Sequence, residues 1–108
     1  MTSKLIKNPH VGEILKEEFL VPLSLSQNAL AKAIVVPPNR IHAIVKGTRH
    51  ITADTDLRLS RFFGLSDGYW LRLQNLHDLM EAKRKITLTL ECIQPYVYQN
   101  QDVARSGV

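Results

Sequence analysis

A short stretch of the sequence carries side chains that suit the recognition of DNA bases. Asn39 and Arg40 directly follow a pair of prolines, and Ala43 lies three residues beyond Arg40. An asparagine can bond N6 and N7 of adenine together, an arginine can bond O6 and N7 of guanine, and an alanine can contact the thymine methyl group. Each good bidentate pair discriminates between bases by about 1–3 kcal/mol. These residue types therefore indicate hydrogen bonding to base edges.

The apolar residues around this stretch predict two helices that would position it. Ser26 is expected to be the N-cap of a helix with Leu30 and Ile34 on one face. Pro38 suits the first position of a second helix, because the N–H that proline lacks has no helical partner there. The apolar residues of that second helix recur at helical spacing: Ile41, Ile44 and Val45. The turn between the two helices is short, which predicts a helix-turn-helix.

The predicted second helix leaves one side free for DNA. In a helix-turn-helix this helix lies in the major groove, with its N-terminal residues toward the bases. The residues that its core-facing side leaves for base contacts are Asn39, Arg40, His42 and Ala43. Residues at the start of the first of these helices and at the end of the second suit phosphates instead: Gln27, Asn28, Lys46, Thr48 and Arg49. Any one of these side chains alone is more often simply solvated, so the prediction depends on the whole set.

Charge is distributed unevenly along the 108 residues, which carry a formal charge of +4. The 35 residues between Glu18 and Asp54 hold no carboxylate, and their bases are Lys32, Arg40, Lys46 and Arg49. From Ala53 onward, seven bases balance seven acids. The positive segment contains the candidate DNA residues and suits a polyanion, although a basic patch alone is often only a solvated surface.

The sequence offers no set of residues for catalysis, a metal or a cofactor. Its four histidines lack metal-ligand spacing, and no nucleophile–base set or phosphate-binding glycine loop is present, so we expect a non-enzyme. Cys92, the only cysteine, is expected to be a buried structural thiol. Neither a secretory signal nor a membrane span is recognisable, and a single cysteine fits a reducing compartment, so we expect a cytoplasmic protein.

Polar residues and glycines predict where the other helices begin and end. Asn8 is expected to cap the first helix, Thr52 the fourth and Ser66 the fifth. Gly47 and Gly64 stand where helices three and four are expected to end.

The fifth helix carries more apolar residues than one small core needs, so it is either well buried or part of an interface. Beyond it, apolar residues alternate with polar ones from Ile86 to Cys92, which is typical of a strand. A lone strand is unstable, so we expect it to pair with a sister chain or another protein; extension of helix five and disorder are the alternatives. The residues predicted to form this interface are Trp70, Leu73, Leu76, Met80, Ile86, Leu88 and Leu90.

Three segments follow from these patterns. Residues 1–83 are predicted to form an all-α, five-helix DNA-binding domain. Residues 84–98 are predicted to form an extension for dimerisation or partner binding, and residues 99–108 a disordered tail.

Several blocks of the sequence resemble the HigA family of antitoxins, which are lambda-repressor-like, XRE-type helix-turn-helix proteins. The blocks lie between about residues 9 and 80: 10–20 (HVGEILKEEFL), 25–27, 30–34, 36–41, 47–49, 51–55, 61–64 and 69–74. The resemblance implies a five-helix fold, a homodimer, repression of its own operon and neutralisation of a HigB-type toxin, an mRNA-cleaving ribonuclease. The recognition helix of the family maps onto residues 38–46, which adds Pro38 to the candidate base contacts.

The sequence departs from the family pattern at a few positions. Val35 stands where the family commonly has a glycine, and a β-branched residue would be strained there if the turn needs positive φ. Asp56 and Ser60 replace small apolar residues of helix four. Two alternative functions remain: a stand-alone XRE-type repressor without a toxin, and a toxin-holding module that binds DNA weakly.

Overall fold

The computed structural model describes residues 7–99, which contain five helices and no strand. The first, α1, spans residues 11–23 and has a π-helical middle; its parts are Val11–Ile14, Leu15–Leu20 and Val21–Leu23. The others are α2 (Gln27–Ala33), α3 (Pro38–Lys46), α4 (Ala53–Phe63) and α5 (Tyr69–Cys92). The all-α class with five helices is therefore confirmed. Of the predicted tail at 99–108, all but the first residue lies outside the described residues.

One core joins α1 to α4 with the start of α5. Its buried apolar residues are Val11, Leu15, Leu20, Leu30, Ala31, Ile34, Val36, Ile41, Ile44, Ile51, Leu59 and Trp70. Trp70 has no exposed surface, and its ring lies 4.9 Å from that of Phe19 between centroids. The assignment of Trp70 to an interface is therefore wrong, since this chain alone already buries the whole side chain.

A close approach of backbones sets the position of α3 against α1. A Cβ atom at Gly12 would overlap the carbonyl oxygen of Ile44 in α3. Glycine is needed here because no other residue leaves room for the two helices at this separation. The sequence thereby places α3 directly against α1.

The N-terminus of α1 is capped by His10 and not by Asn8 as predicted. His10 accepts a hydrogen bond from the N–H of Gly12 at 3.0 Å, and Glu13 accepts one from the N–H of His10 at 3.1 Å. Asn8 instead donates to the carbonyl of His77 and to the carboxylate of Glu81. Its bond to Glu81 lowers the pKa of that carboxyl and joins the start of the domain to α5.

The other predicted helix boundaries are mostly confirmed. Ser26 accepts from the N–H of Ala29 at 3.0 Å, and Thr52 accepts from the N–H of Thr55 at 3.4 Å. Gly47 and Gly64 end α3 and α4 with φ of 90° and 71°. These are left-handed values that favour glycine.

The predicted cap of α5 by Ser66 is wrong, because a carboxylate from another helix occupies that role. Asp56 of α4 is 1% exposed. Its two oxygens accept from the N–H of Gly68 at 2.7 Å and of Leu71 at 2.9 Å. A carboxylate suits a helix N-terminus because the N–H groups there lack helical partners and carry partial positive charge. The Asp56 carboxylate therefore joins α4 to α5.

The strand prediction for residues 86–92 is wrong, because α5 continues through them to Cys92. The same residues also fit helical spacing, since Leu79, Ile86 and Leu90 recur at intervals of seven and four. A kink marks the region: Ile86 has φ −115° and ψ 22°, and the hydroxyl of Thr87 bonds the carbonyl of Lys83. Such bonds to the preceding turn bend helices.

The end of α5 extends away from the core. Every residue from 82 to 99 is exposed, including Cys92, so the prediction of a buried thiol is wrong. The boundary predicted at residue 83 falls inside α5, which continues across it without interruption. Across residues 7–99, no helix has the length and apolar character needed to cross a membrane.

Replacing Asp56 with alanine is expected to destabilise the fold by about 2–3 kcal/mol, because two N–H groups at the start of α5 lose their acceptor. A loss of that size lowers the melting temperature by roughly 8 °C or more in a domain of this length. Thermal unfolding followed by circular dichroism measures the change. Asp67→Ala removes an exposed neighbouring carboxylate and is the control; equal melting temperatures for the two variants would contradict the capping role of Asp56.

Candidate nucleic-acid interface

Helix α3 is divided into a buried side and an exposed side. Ile41 and Ile44 are buried, and Val45 packs partly against the core, as predicted. Among the candidate base contacts, Pro38, Asn39 and His42 are exposed, whereas Arg40 and Ala43 are half-buried. Proline at its first position and glycine directly after its last limit α3 to nine residues, Pro38–Lys46. The exposed side offers an amide, an imidazole and the Lys46 ammonium for contact with DNA.

The turn between α2 and α3 contains a strained residue. Val35 has φ of 61°, a left-handed value that is unfavourable for a β-branched side chain, and it is 77% exposed. Strain of this kind costs of order 1–3 kcal/mol. The next residue offsets the cost of this strain. Val36 buries its side chain in the core and donates its N–H to the carbonyl of Ala31 at 3.0 Å.

Arg58 of α4 supports this turn. Its Nη1 donates to the carbonyl oxygens of Ile34 at 2.9 Å and Val35 at 3.0 Å, where α2 ends and its carbonyls lack helical partners. Its Nε donates to Asp54 at 2.7 Å. The sequence reasoning missed Arg58; the available signal was its spacing of four residues from Asp54, which suits an ion pair on a helix.

Arg40 lies against α4 rather than extending freely into solvent. Its Nη1 is 3.5 Å from a carboxylate oxygen of Asp54, and its side chain is 22% exposed. The Nε atom is buried and has no hydrogen-bond partner within residues 7–99. Arg40 must therefore change rotamer or exchange partners before its guanidinium can bond a base.

The candidate phosphate contacts surround α3. Asn28 bonds the imidazole of His42 at 3.0 Å between Oδ1 and Nε2, so the start of α2 is joined to the exposed side of α3. The hydroxyl of Thr48 donates to the carbonyl of Ala43 at 3.3 Å. Lys46 and Arg49 are exposed and Gln27 is half-buried. The helix pair therefore presents amides and cations next to the base-reading candidates, as phosphate recognition requires.

The predicted interface on α5 is largely exposed. Leu76 is 64% exposed, and Met80, Ile86, Leu88 and Leu90 also lie at the surface. Leu73 is half-buried and packs against the core. Apart from Trp70, these residues stay a predicted interface. Within residues 7–99, no three His, Cys, Asp or Glu side chains are grouped so that they could hold a metal ion.

Comparison with known proteins identifies the family. Residues 15–70 match the family model described as Helix-turn-helix. Virulence-associated protein I of Dichelobacter nodosus is 53% identical over 75 residues, covering 69% of each chain. The structure of an addiction module antidote protein of a HigA family from Coxiella burnetii is 43% identical, with a TM-score of 0.77 over 84% of this chain and 100% of that one. The chain belongs to the HigA family of helix-turn-helix antitoxins.

Another solved HigA protein is similar to this HigA-family chain and contains DNA. The structure of Pseudomonas aeruginosa antitoxin HigA with the higBA promoter is 36% identical, with a TM-score of 0.77 over 84% of this chain and 100% of that one. The turn of this HigA-family chain contains Val35 in a left-handed conformation. The observed φ of 61° means that the strain expected from a β-branched residue in this turn is present.

Replacing Val35 with glycine is expected to stabilise this HigA-family chain by about 1 kcal/mol. The left-handed strain of 1–3 kcal/mol is relieved, and the greater freedom of glycine in the unfolded chain offsets part of the gain. Urea unfolding measures the difference. Ala33→Gly, at an exposed position of α2, is the control and should lose about 0.5–1 kcal/mol. If Val35→Gly loses as much as Ala33→Gly, the turn is not strained.

Asn39→Ala and Lys46→Ala are expected to weaken DNA binding in different ways. Loss of a base contact at Asn39 should cost about 1–3 kcal/mol on the preferred sequence and reduce discrimination at one base pair. Loss of a phosphate contact at Lys46 should weaken binding to all sequences and reduce the salt slope by about 0.9. Fluorescence anisotropy titrations at several salt concentrations measure both effects. If both variants behave alike, the division of α3 into base and phosphate contacts is wrong.

Proposed function

We propose that this HigA-type antitoxin binds operator DNA of its own operon through α3 and represses transcription. The observation that carries the proposal is the exposed side of α3, with Asn39 and Lys46 opposite the buried Ile41 and Ile44. The absence of carboxylates between Glu18 and Asp54 supports it, because phosphates would meet no negative side chain from that segment. The likeness to a HigA bound to its promoter supports the same function.

Two copies of the chain would read one operator. The exposed apolar residues of α5 suit burial against a second copy, since leaving them in water is unfavourable. A symmetric dimer places two recognition helices on one face of the duplex. The half-sites would then lie about 34 Å apart, one turn of DNA.

The second activity in this proposal is neutralisation of a HigB-type toxin, an mRNA ribonuclease. Membership of an antitoxin family supports it. Toxin neutralisation and operator binding are separate roles that one chain can combine.

A titration of the full-length chain against the duplex upstream of its own gene tests repression. Preferential binding over a random duplex of equal length and composition is expected, with a footprint that spans two half-sites. Equal affinity for the two duplexes would contradict operator recognition. Where a short reading frame adjoins the gene, co-expression with that frame tests neutralisation separately. Co-purification and restored growth are expected; failure of the two chains to associate would leave a stand-alone repressor.

A further inference from the structure

Asn28 and His42 join the two helices of the helix-turn-helix through one hydrogen bond at the protein surface. Oδ1 of Asn28 lies 3.0 Å from Nε2 of His42. Asn28 is in the first turn of α2, His42 is in the middle of α3, and both residues are exposed. The bond does not withdraw either side chain from solvent, so both stay accessible to a DNA duplex.

This bond fixes which nitrogen of the imidazole carries the proton. An amide oxygen can only accept, so Nε2 of His42 must be the donor. A neutral imidazole has a single N–H, and its other nitrogen is an acceptor. Nδ1 of His42 is therefore an acceptor, and no group within residues 7–99 donates to it.

An acceptor on the exposed side of α3 discriminates between base edges. In the major groove, adenine N6 and cytosine N4 are donors, whereas guanine O6 and N7 and thymine O4 are acceptors. Nδ1 of His42 would bond the exocyclic amino group of adenine or cytosine. Against an acceptor of guanine or thymine, the same nitrogen would lose its bond to water and gain no partner, which is unfavourable.

We propose that Asn28 is a positioning residue, which makes His42 read the exocyclic amino group of an adenine or a cytosine. This role rests on the proposed function, the binding of operator DNA through α3. The bond between Asn28 and His42 is present before DNA binds and does not have to break, because Nδ1 meets the base while Nε2 stays with Asn28. Without Asn28, the ring is free to turn and to present Nε2–H to guanine instead.

The remaining group of the Asn28 amide is also available to DNA. Nδ2 has no hydrogen-bond partner within residues 7–99, so it can donate to a phosphate while Oδ1 holds the imidazole. A phosphate contact of Asn28 and a base contact of His42 therefore do not compete with each other.

The position of the imidazole proton tests the first step without DNA. Nitrogen-15 NMR distinguishes a ring nitrogen that carries a proton from one that does not. At about pH 8, where imidazole side chains are generally neutral, we expect the proton of His42 on Nε2 in the full-length chain. Asn28→Ala should show a larger share of the form protonated on Nδ1. A proton mainly on Nδ1 of the unmodified chain would overturn the proposal.

Duplexes that lack a single amino group test the base contact at the same pH. Purine replaces adenine, or 2-pyrimidinone replaces cytosine, at one position at a time in each half-site upstream of the gene. Loss of one hydrogen bond should lower affinity roughly 3- to 10-fold. Asn39 can also bond adenine, so the position read by His42 is the one at which this penalty falls below about 2-fold in His42→Ala.

Asn28→Ala should reduce the penalty at that position to less than about 2-fold, because the released ring can bond another edge. Gln27→Ala is the matched control. It removes the neighbouring amide of α2, which has no bond to His42, and should leave the penalty unchanged. Melting temperatures confirm that each variant is folded before it is compared.

The results separate the positioning role from operator binding itself. If Asn28→Ala keeps the full penalty, as Gln27→Ala should, Asn28 does not position His42, although operator binding stands. If no penalty disappears in His42→Ala, His42 reads no amino group. If the unmodified chain does not distinguish the upstream duplex from a random one, the proposed function fails and the role of Asn28 fails with it.

Discussion

Burial of Ile41 and Ile44 fixes the rotation of α3 about its own axis, and this rotation decides which side chains can reach DNA. Burying one isoleucine stabilises a protein by about 1.5–3 kcal/mol, so turning α3 over would lose several kcal/mol. The close approach at Gly12 adds a second constraint, because it holds α1 directly against the backbone of α3 at Ile44. The polar side of the helix is thus oriented by apolar contacts on its other side. Recognition of bases depends on that orientation.

A connected set of polar contacts completes the support of the recognition helix. Asp54 and Arg58 of α4 bond each other, and Arg58 bonds the carbonyls of the turn at Ile34 and Val35. On the other side of α4, Asp56 caps the start of α5. The strained turn at Val35 is therefore held by α4, and α4 is in turn bonded to the start of α5. Rigid positioning of this kind reduces the conformational entropy that α3 loses when it binds DNA.

Much of the helical framework could be predicted from the sequence, because its causes are local. Ser26 and Thr52 cap helices within their own first turns, and the spacing of Ile41 and Ile44 reports a helix face directly. The residues themselves indicated the helix-turn-helix and its DNA-reading side, whereas the family resemblance supplied the antitoxin role and the homodimer. Predictions failed where two local patterns coincided: residues 86–92 alternate like a strand, yet Ile86 and Leu90 also fit a helix.

The other failures involve residues that are distant in the sequence. Asp56 caps a helix that begins 13 residues later, and Ser66, which stands near that helix, therefore looked like the cap. Whether Trp70 would be buried or exposed depended on contacts with Phe19, about fifty residues away. The ion pair between Arg40 and Asp54 joins two helices. The sequence shows that the two side chains have opposite charges, but only the structure shows that they lie 3.5 Å apart.

Methylation interference tests the orientation of α3 on DNA most directly. Methylation at N7 of guanine blocks the major-groove edge that an arginine would bond. For the duplex upstream of the gene, we predict that methylation of a guanine in each half-site prevents binding. In the Arg40→Ala variant that interference should disappear at the same guanine. Binding that tolerates N7 methylation throughout the protected region would show that α3 does not read the major groove, and would contradict the account.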